Sequence, residues 1–137
     1  SSATYELMPM LKDIDTKESY VVKSENSTLL ATAMFTTKNE PTYKIIQGNW
    51  ITEAGTQYGV IHRMAVNENF RGTGIAKFIF KQCEKILKHN SLKSMRIDTH
   101  EDNVAMQNLL KKLGYKFCGV IFLENNDKRL AFEKLVL

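Results

Sequence analysis

Residues 71–76 carry the pattern with the clearest chemistry, Arg-Gly-Thr-Gly-Ile-Ala. It follows an apolar run and precedes a stretch with helical periodicity. Gly72 and Gly74 lack a Cβ, so the backbone can turn tightly there and approach a ligand closely. The first amide N–H groups of the following helix have no intrahelical partner, and the helix dipole favours an anion at that end. With Arg71 beside it, the turn is suited to a phosphate or pyrophosphate group.

Two well-known phosphate-binding loops do not fit this turn. A Walker loop needs Lys and then Ser or Thr directly after its last glycine, whereas Lys77 stands at a different distance. The dinucleotide fingerprint needs a third glycine where Lys77 stands. Gly-x-Gly alone is equally consistent with a tight turn before an ordinary helix, so the ligand interpretation needs a second motif.

Histidines are the next candidates for chemistry. We expect His62 on one strand face with Val60 and Met64. Its ordinary pKa of about 6.5 suits a general base, and a packed, hydrogen-bonded histidine is the alternative. His100 is followed by two acidic residues, but this spacing matches no zinc pattern, so we expect no metal.

The composition limits the classes of protein. The chain has 137 residues, of which 43% are hydrophobic and 25% charged, which suits one domain with a core and excludes a disordered or collagen-like chain. No apolar run approaches the roughly 20 residues that span a bilayer. Two cysteines do not make a disulfide framework. We see no secretory leader and expect a cytoplasmic protein.

Charge is unevenly divided along the chain. Residues 1–70 contain 6 Lys and Arg against 8 Asp and Glu, whereas residues 71–137 contain 13 against 7, a net charge of +6. A basic half can serve nucleic acid, a membrane surface or a phosphorylated ligand, or consist of solvated helix faces. No nucleic-acid-binding module is recognisable, and no aromatic stripe alternates with the basic residues. We therefore expect neither a nucleic-acid nor a membrane partner.

Hydrophobic patterning predicts the elements that position these motifs. Residues 4–12 look like the end of a helix, and residues 37–57 like an irregular loop in which Trp50 is a core anchor or a pocket wall. One helix is predicted over 75–90 and a second between Asn103 and Gly114, which is placed to end it. The predicted strands are 19–23, 28–35, 58–66, 94–99, 115–123 and 129–135. The order β-β-β-α-β-α-β-β gives a mixed α/β sheet, with parallel pairing where a helix crosses over.

Two segments resemble motifs of the GNAT superfamily, the Gcn5-related N-acetyltransferases. Residues 69–74, Asn-Phe-Arg-Gly-Thr-Gly followed by Ile-Ala, are similar to that family's acyl-CoA motif, Gln/Arg-x-x-Gly-x-Gly/Ala after a strand. The family's second motif is an asparagine, an apolar residue and an aromatic, with Gly-Phe closing the helix. At matching spacing this chain has Asn103, Met106, Leu109, Leu110 and Gly114-Tyr115.

The resemblance covers residues 58–118 and extends by element order to residue 19. Segments 61–66 and 96–103 also look like a branch of small bacterial acetyltransferases. The implied fold class is α/β, a GNAT acyl-CoA N-acyltransferase-like mixed, mostly antiparallel sheet flanked by helices. It has a central parallel, splayed strand pair, and we expect residues 1–137 to form one such domain.

The same resemblance implies acetyl-CoA as the co-substrate, with no metal. Its pyrophosphate would lie on residues 71–76, and its pantetheine would pair with the open edge of the strand that holds Met64 and Val66. Asn103 would contact the pantetheine region or cap the second helix. The implied cofactor-binding residues are Met64, Ala65, Val66, Arg71, Gly72, Thr73, Gly74, Ile75, Ala76, Asn103 and Leu109.

The implied reaction is direct transfer of the acetyl group to a primary amine of a small molecule or peptide. Asp98 occupies a strand position where some family members carry a Glu thought to act as the base, so it is the first candidate, directly or through a water. The alternative is a structural carboxylate paired with Arg96 or a backbone group. His62 is the second candidate base. On charge alone, the acidic first half is expected to recognise the cationic amine.

Departures from the family pattern affect three positions. Asn69 stands where Gln or Arg is usual. Leu110 replaces the Tyr that usually protonates the departing thiolate, so Tyr43, Tyr58 or water would have to donate that proton. The same replacement makes a catalytically degenerate acyl-CoA-binding module the alternative function. The family opens with an extra strand and helix, for which residues 1–12 are too short, so we expect these to be incomplete here. A homodimer is a further expectation, because sheet-edge dimers are common among such folds.

Overall fold

The structure is a computed structural model that describes residues 6–12 and 18–137. Within these ranges the strands are β1 (Glu6–Lys12), β2 (Glu18–Lys23), β3 (Leu29–Thr36), β4 (Gln47–Gly48), β5 (Tyr58–Val66), β6 (Ser94–Thr99), β7 (Lys116–Phe122) and β8 (Lys128–Leu135). The helices are α1 (Ile75–His89) and α2 (Val104–Lys112), and short 3-10 turns occur at Pro41–Tyr43 and Glu68–Phe70.

The strands of this described part form one sheet in the order β1-β2-β3-β5-β6-β8-β7-β4. Neighbours are antiparallel except β5 and β6, which run parallel because α1 connects them as a crossover. The parallel ladder holds from Tyr58–Ser94 to Val60–Arg96 and goes no further, so the two strands separate beyond it. The predicted sheet, mixed and mostly antiparallel with a central splayed pair, is confirmed.

Helices α1 and α2 lie on one face of the sheet. The apolar stripe of α1 buries Ile79 and Leu87 in the main core, which Leu110 of α2 joins. Because alternate residues of a strand point to opposite faces, a second, smaller cluster forms on the other side around Tyr43 and Val60. Loop 37–57 covers that second face. In the described residues, neither helix has the length and apolar character that a membrane crossing needs.

The amino-terminal segment differs from the prediction. The predicted helix end over 4–12 is wrong, because residues 6–12 form β1; residues 4 and 5 lie outside the described residues. Pro9 would interrupt a helix, but it is tolerated in β1 because that strand lies at the edge of the described sheet and its ladder with β2 shifts register between Pro9 and Leu11. The sequence shows no period-two alternation there that would have indicated a strand.

Strand β5 contains a bulge at Arg63, whose φ is +50°. The ladder with β3 advances three residues along β5 for two along β3. The extra residue reverses the alternation of side chains. His62 therefore faces the loop side with Val60 and lies near Glu40, whereas Met64 packs against the main core. The expectation that His62 shares a face with both Val60 and Met64 is wrong for Met64.

Loop 37–57 is fastened to the sheet where β4 meets β7. Gly48 has φ +136°, and a Cβ there would lie 2.1 Å from the carbonyl oxygen of Cys118. The N–H of Asn49 donates to that same oxygen at 3.0 Å. Only glycine allows so close an approach of the two backbones.

We expect Gly48→Ala to loosen the loop and lower the unfolding temperature by several degrees, because the new Cβ would clash with the Cys118 carbonyl oxygen, beyond the about 1–2 kcal/mol that a positive φ costs. Gly55→Ala is the matched control, because Gly55 has φ +89° in the same loop but open space around its Cβ position. Thermal unfolding measures the stability, and emission of Trp50, the single tryptophan, reports the loop. Equal effects of the two substitutions would contradict the role given to the β4–β7 contact.

Candidate functional site

The candidate site lies where β5 and β6 separate. Their last pair is Val60–Arg96, so the edge of β5 that faces β6 has no hydrogen-bonded strand beside residues 61–66 of the described chain. Free N–H and C=O groups on a strand edge can pair with an extended ligand. Met64 and Val66 are half-buried, and Ala65 is exposed. The three residues predicted to meet pantetheine thus lie along this open edge.

Strand β5 leads into the glycine turn. Gly72 and Gly74 have φ +78° and +87°, and a Cβ at either would meet nothing within 4 Å. Gly74 is the N-cap of α1 and makes no side-chain capping hydrogen bond. The turn therefore presents the amino end of a helix to open space, which is the arrangement that accommodates an anion.

The side chains around this turn differ in exposure. Arg71 and Thr73 are exposed, Ala76 is half-buried and Ile75 is only 1% exposed. The Thr73 hydroxyl donates to the carbonyl oxygen of Phe70, which holds the turn closed. Ile75 is anchored in the main core, so what it offers a ligand is its backbone N–H.

The predicted second motif forms α2. Its first residue is Val104, and Asn103 caps it, with Oδ1 accepting from the N–H of Met106 at 3.1 Å. The capping interpretation of Asn103 is confirmed. Leu109 is half-buried against the main core, and Gly114 follows the helix with φ +90°, as predicted.

Asp98 lies just past the end of the parallel ladder. Its Oδ2 accepts a hydrogen bond of 2.7 Å from the hydroxyl of Tyr43. Burial, reinforced by the charge of Asp98, raises the pKa of Tyr43 well above its ordinary value, so the hydroxyl stays protonated and donates. The suggested pairing of Asp98 with Arg96 is not what the structure shows, because Arg96 binds Glu133.

His62 occupies the corresponding place on β5. It stands two residues past Val60, as Asp98 stands two residues past Arg96, so both lie where the strands begin to splay. Its Nε2 lies 3.3 Å from Oε2 of Glu40. The contact is at ion-pair distance and does not meet hydrogen-bond geometry, so Glu40 acts on the imidazole through its charge.

One short turn supports both candidate bases. Glu40 precedes the 3-10 turn Pro41–Tyr43 and lies against His62. Tyr43 is the last residue of that turn and donates to Asp98. The backbone N–H of Glu40 also donates to the Tyr58 hydroxyl at 2.8 Å. The sequence offered Tyr43 only as one replacement for a missing proton donor and did not single out Glu40, since the loop has no periodicity to place it.

Arg96 and Glu133 form the buried polar centre beneath this turn. The guanidinium lies between two aromatic rings, 4.1 Å from the Trp50 centroid and 4.3 Å from that of Tyr58. Its Nε lies 3.1 Å from Oε2 of Glu133, which is 0% exposed. Trp50 packs on the smaller cluster and lines a cavity, so it is both core anchor and pocket wall.

Glu133 accepts hydrogen bonds from two parts of the chain, strand β6 and loop 37–57. Ser94 of β6 and Thr52 of the loop donate through their hydroxyls, and the N–H groups of Ile51 and Thr52 donate at 2.6 and 3.2 Å. Burial alone would raise the pKa of Glu133, but the hydrogen bonds from Ser94 and Thr52 and the charge of Arg96 outweigh it and lower the pKa. The carboxylate thus remains ionised in the interior.

Leu110 is fully buried in the main core, at 0% exposure, and contributes no polar atom. The nearby Tyr115 hydroxyl donates to Glu84 Oε2 at 2.7 Å, and burial with the charge of Glu84 raises its pKa. Lys134 pairs with the same carboxylate. Tyr115 therefore belongs to a structural network on the helix face, away from Asp98 and His62.

The remaining titratable candidates lie outside the site. His100 accepts from the N–H of Asp102 through Nδ1 at 3.0 Å, and Glu101 pairs with Lys128. Within residues 6–12 and 18–137, no three His, Cys, Asp or Glu side chains are grouped to hold a metal. Cys83 is buried in α1, where burial and the charge of Glu84 raise its pKa to about 12.

A splayed parallel pair beside a glycine turn and a helix amino end defines an acyl-CoA N-acyltransferase type of fold. The chain belongs to the acetyltransferase (GNAT) family, whose model matches residues 2–115. An acetyltransferase of the GNAT family from Streptococcus agalactiae is 33% identical, with a TM-score of 0.72, over 85% of this chain and 64% of that one.

Two more distant structures share the fold. An IAA acetyltransferase from Bacillus cereus is 16% identical with a TM-score of 0.69, over 98% of this chain and 99% of that one. The NatC complex bound to Gag peptide and CoA is also 16% identical, with a TM-score of 0.65, over 85% of this chain and 70% of that one. A comparison with curated proteins gives no match. This chain thus spans less than two thirds of the length of the Streptococcus protein.

We expect Glu133→Gln to lower the free energy of unfolding at about pH 7 by roughly 3–5 kcal/mol, because it leaves the buried Arg96 guanidinium without a counter-charge. Folding lowers the pKa of Glu133, so its contribution is present above the ordinary value of 4.5 and is lost as the pH falls through the lowered value. The difference between wild type and variant should therefore narrow on acidification.

Urea unfolding at about pH 7 and about pH 3 measures this dependence. Glu53→Gln is the control, since Glu53 is an exposed carboxylate of the same loop and should change stability little. A Glu133→Gln variant as stable as wild type at neutral pH would show that the buried pair does not hold the loop.

Proposed function

We propose that the protein is an acetyl-CoA-dependent N-acetyltransferase that transfers an acetyl group directly to a primary amine of a small molecule or peptide. The observation that carries the proposal is the combination of a free β5 edge with a glycine turn opening at its end. Together they offer one continuous path for an extended ligand that ends in phosphates. Family membership supports the same reaction class.

In this proposal the cofactor contacts are mostly made by backbone. Residues 72–76 present N–H groups to the pyrophosphate, and the exposed Arg71 adds a positive charge. Residues 64–66 present the edge of β5 to the pantetheine amides, with Asn103 and Leu109 bordering the same region. Bound acetyl-CoA supplies a thioester carbonyl to the attacking amine.

Asp98 is the proposed base. An alkyl amine with a pKa of about 10.4 is about one part in a thousand neutral near pH 7.4, which costs roughly 4 kcal/mol, and a positioned base offsets part of this. The Tyr43 hydroxyl fixes one carboxylate oxygen of Asp98, which leaves the other to accept the proton of the amine, directly or through a water.

His62 with Glu40 is the alternative base. The pair lies at the same level of the splay, and Glu40 places a negative charge beside the imidazole. With either residue as the base, the departing thiolate must take its proton from a group other than Leu110, which has none to donate. Because a thiol has a pKa of about 8.5, it departs far more easily than an amine, so turnover does not require a tyrosine at that position.

Calorimetric titration with acetyl-CoA, up to millimolar ligand, tests the proposal at its first step. We expect binding by the wild type and loss of binding by Gly72→Val, because a side chain on Gly72 would fill the open space that the phosphate enters. Gly55→Val is the matched control, since Gly55 shares the positive φ and the open surroundings but lies in loop 37–57. No binding by the wild type would refute the function.

The second test separates the two bases. If Asp98 accepts the proton, Asp98→Asn should cut kcat roughly 100- to 10,000-fold while leaving the Kd for acetyl-CoA unchanged. The single substitution His62→Gln should then lower kcat by a smaller factor. The reverse order would assign the base to His62. Asp102→Asn, an exposed carboxylate beyond β6, is the control.

The alternative function, an acyl-CoA-binding module without turnover, is motivated by Leu110, which stands where the family usually has a proton-donating Tyr. It predicts the same calorimetric binding but no thiol release with any amine. A thiol-release assay over amine classes, followed by mass identification of the product, distinguishes the two functions.

A further inference from the structure

A cavity of about 450 Å³ lies beneath loop 37–57, on the face of the sheet opposite the helices. Its volume is within the range of small-molecule sites. Nearly all its lining comes from the loop itself, and Tyr58 of β5 and Arg96 of β6 complete it. The motifs that carry the cofactor chemistry contribute nothing to it.

The cavity adjoins the point where the strands separate. Arg96 belongs to the last parallel pair and lines the cavity. Tyr43 also lines it, and the hydroxyl of that residue reaches Asp98 at 2.7 Å. Asp98 stands two residues further along β6, about 7 Å at strand spacing. A molecule in the cavity is therefore separated from the proposed base by the side chain of Tyr43, which contacts both.

The lining has a definite chemical character. Three aromatic rings supply apolar walls, and amide and hydroxyl side chains supply polar points; of the latter, Asn49 and Thr56 are examples. Its charged residues are both cationic, Lys44 and Arg96, and among the described residues that line the cavity none is acidic. A polycation would thus meet like charges, whereas an anion would not.

Both cations retain hydrogen-bonding capacity. The guanidinium of Arg96 has five N–H donors, and its hydrogen bonds in the described chain use Nε toward Glu133 and Nη2 toward Thr52. Glu133 offsets the charge of Arg96, and Arg96 lines the cavity with N–H donors that these two hydrogen bonds do not use. Lys44 is exposed and has no ion pair in the described part of the chain, so its full charge is available.

We propose that this cavity binds the amine acceptor and that the acceptor is an amino acid: its carboxylate lies on Arg96 and Lys44, its side chain contacts the aromatic walls, and its amine points toward Asp98. This inference rests on the proposed function. It differs from the expectation, drawn from charge alone, that the acidic first half recognises a cationic amine. Among the described residues of that half, Glu40 reaches the site, and it lies against His62 and not in the cavity lining.

The test compares L-amino acids with their carboxamides at saturating acetyl-CoA. Each pair keeps the amine and the side chain and differs only at the carboxylate. We expect kcat/KM to favour the free acid of the best pair by at least about 10-fold, the usual effect of losing a charge-assisted hydrogen bond. Lys44→Gln should reduce this preference through KM, whereas Lys38→Gln, an exposed lysine of the same loop outside the lining, should not.

Binding gives a readout independent of turnover. Trp50 is the single tryptophan and lines the cavity, so its emission reports binding there. Titration with the free amino acid of the best pair should change this emission, and titration with its carboxamide should change it far less. Arg96→Lys should weaken this change in Trp50 emission. If that variant does not fold, Lys44→Gln replaces it in the same titration.

Acetylation of carboxamides or of spermidine as well as of the free acids would overturn the inference and leave the proposed function standing. Acetyl-CoA binding with no amino acid acetylated and no change in Trp50 emission would also overturn it. Absence of acetyl-CoA binding would remove the proposed function first and the acceptor assignment with it.

Discussion

The buried Glu133 carboxylate is the interaction on which the rest of the site depends. It faces Arg96 across the β6–β8 ladder and also accepts hydrogen bonds from the loop at Ile51 and Thr52. A charge taken out of water is tolerated only when it is fully paired. Here the pairing joins two strands to a segment with little regular structure, so the requirement of one carboxylate fixes the position of a loop.

What that loop carries explains why its position matters. Held at Glu133 and at the Gly48–Cys118 contact, it places Trp50 over Arg96 and directs the turn containing Tyr43 toward the splay. The indole N–H of Trp50 donates to the Tyr43 carbonyl at 3.0 Å, which ties the two parts of the loop together. Asp98 and the neighbouring histidine are therefore positioned by packing on the face opposite the helices, while the cofactor motifs begin on the helix side.

The sequence predicts the regular part of this arrangement well. Strands over 58–66 and 94–99 are confirmed to the residue, because each lies between clear breaks in the sequence pattern. The glycine turn and the cap at Asn103 follow from local backbone chemistry, which the sequence contains in full. These are features determined by residues close together in the chain.

The features that the sequence did not place are set by distant partners. The Arg63 bulge is visible only as a change of register against β3, and β1 only through its pairing with β2. Tyr43 meets Asp98 across 55 positions of sequence, and no periodicity in the loop indicates it. The helix and strand pattern therefore located the site, whereas the partners of its carboxylates required the three-dimensional structure.

The bulge at Arg63 divides β5 into two half-strands with opposite facing, and this has an evolutionary consequence. Before it the even-numbered residues Val60 and His62 face the loop side, and after it the even-numbered residues Met64 and Val66 pack on the helix side, although all belong to one continuous strand. Deleting the single bulged residue would restore a regular ladder and leave the later side chains on their present faces. Adding or removing a residue elsewhere in the strand, with the bulge kept, would turn the side chains between that point and the bulge to the other face. The strand should accordingly tolerate a one-residue deletion at the bulge far better than one elsewhere along its length.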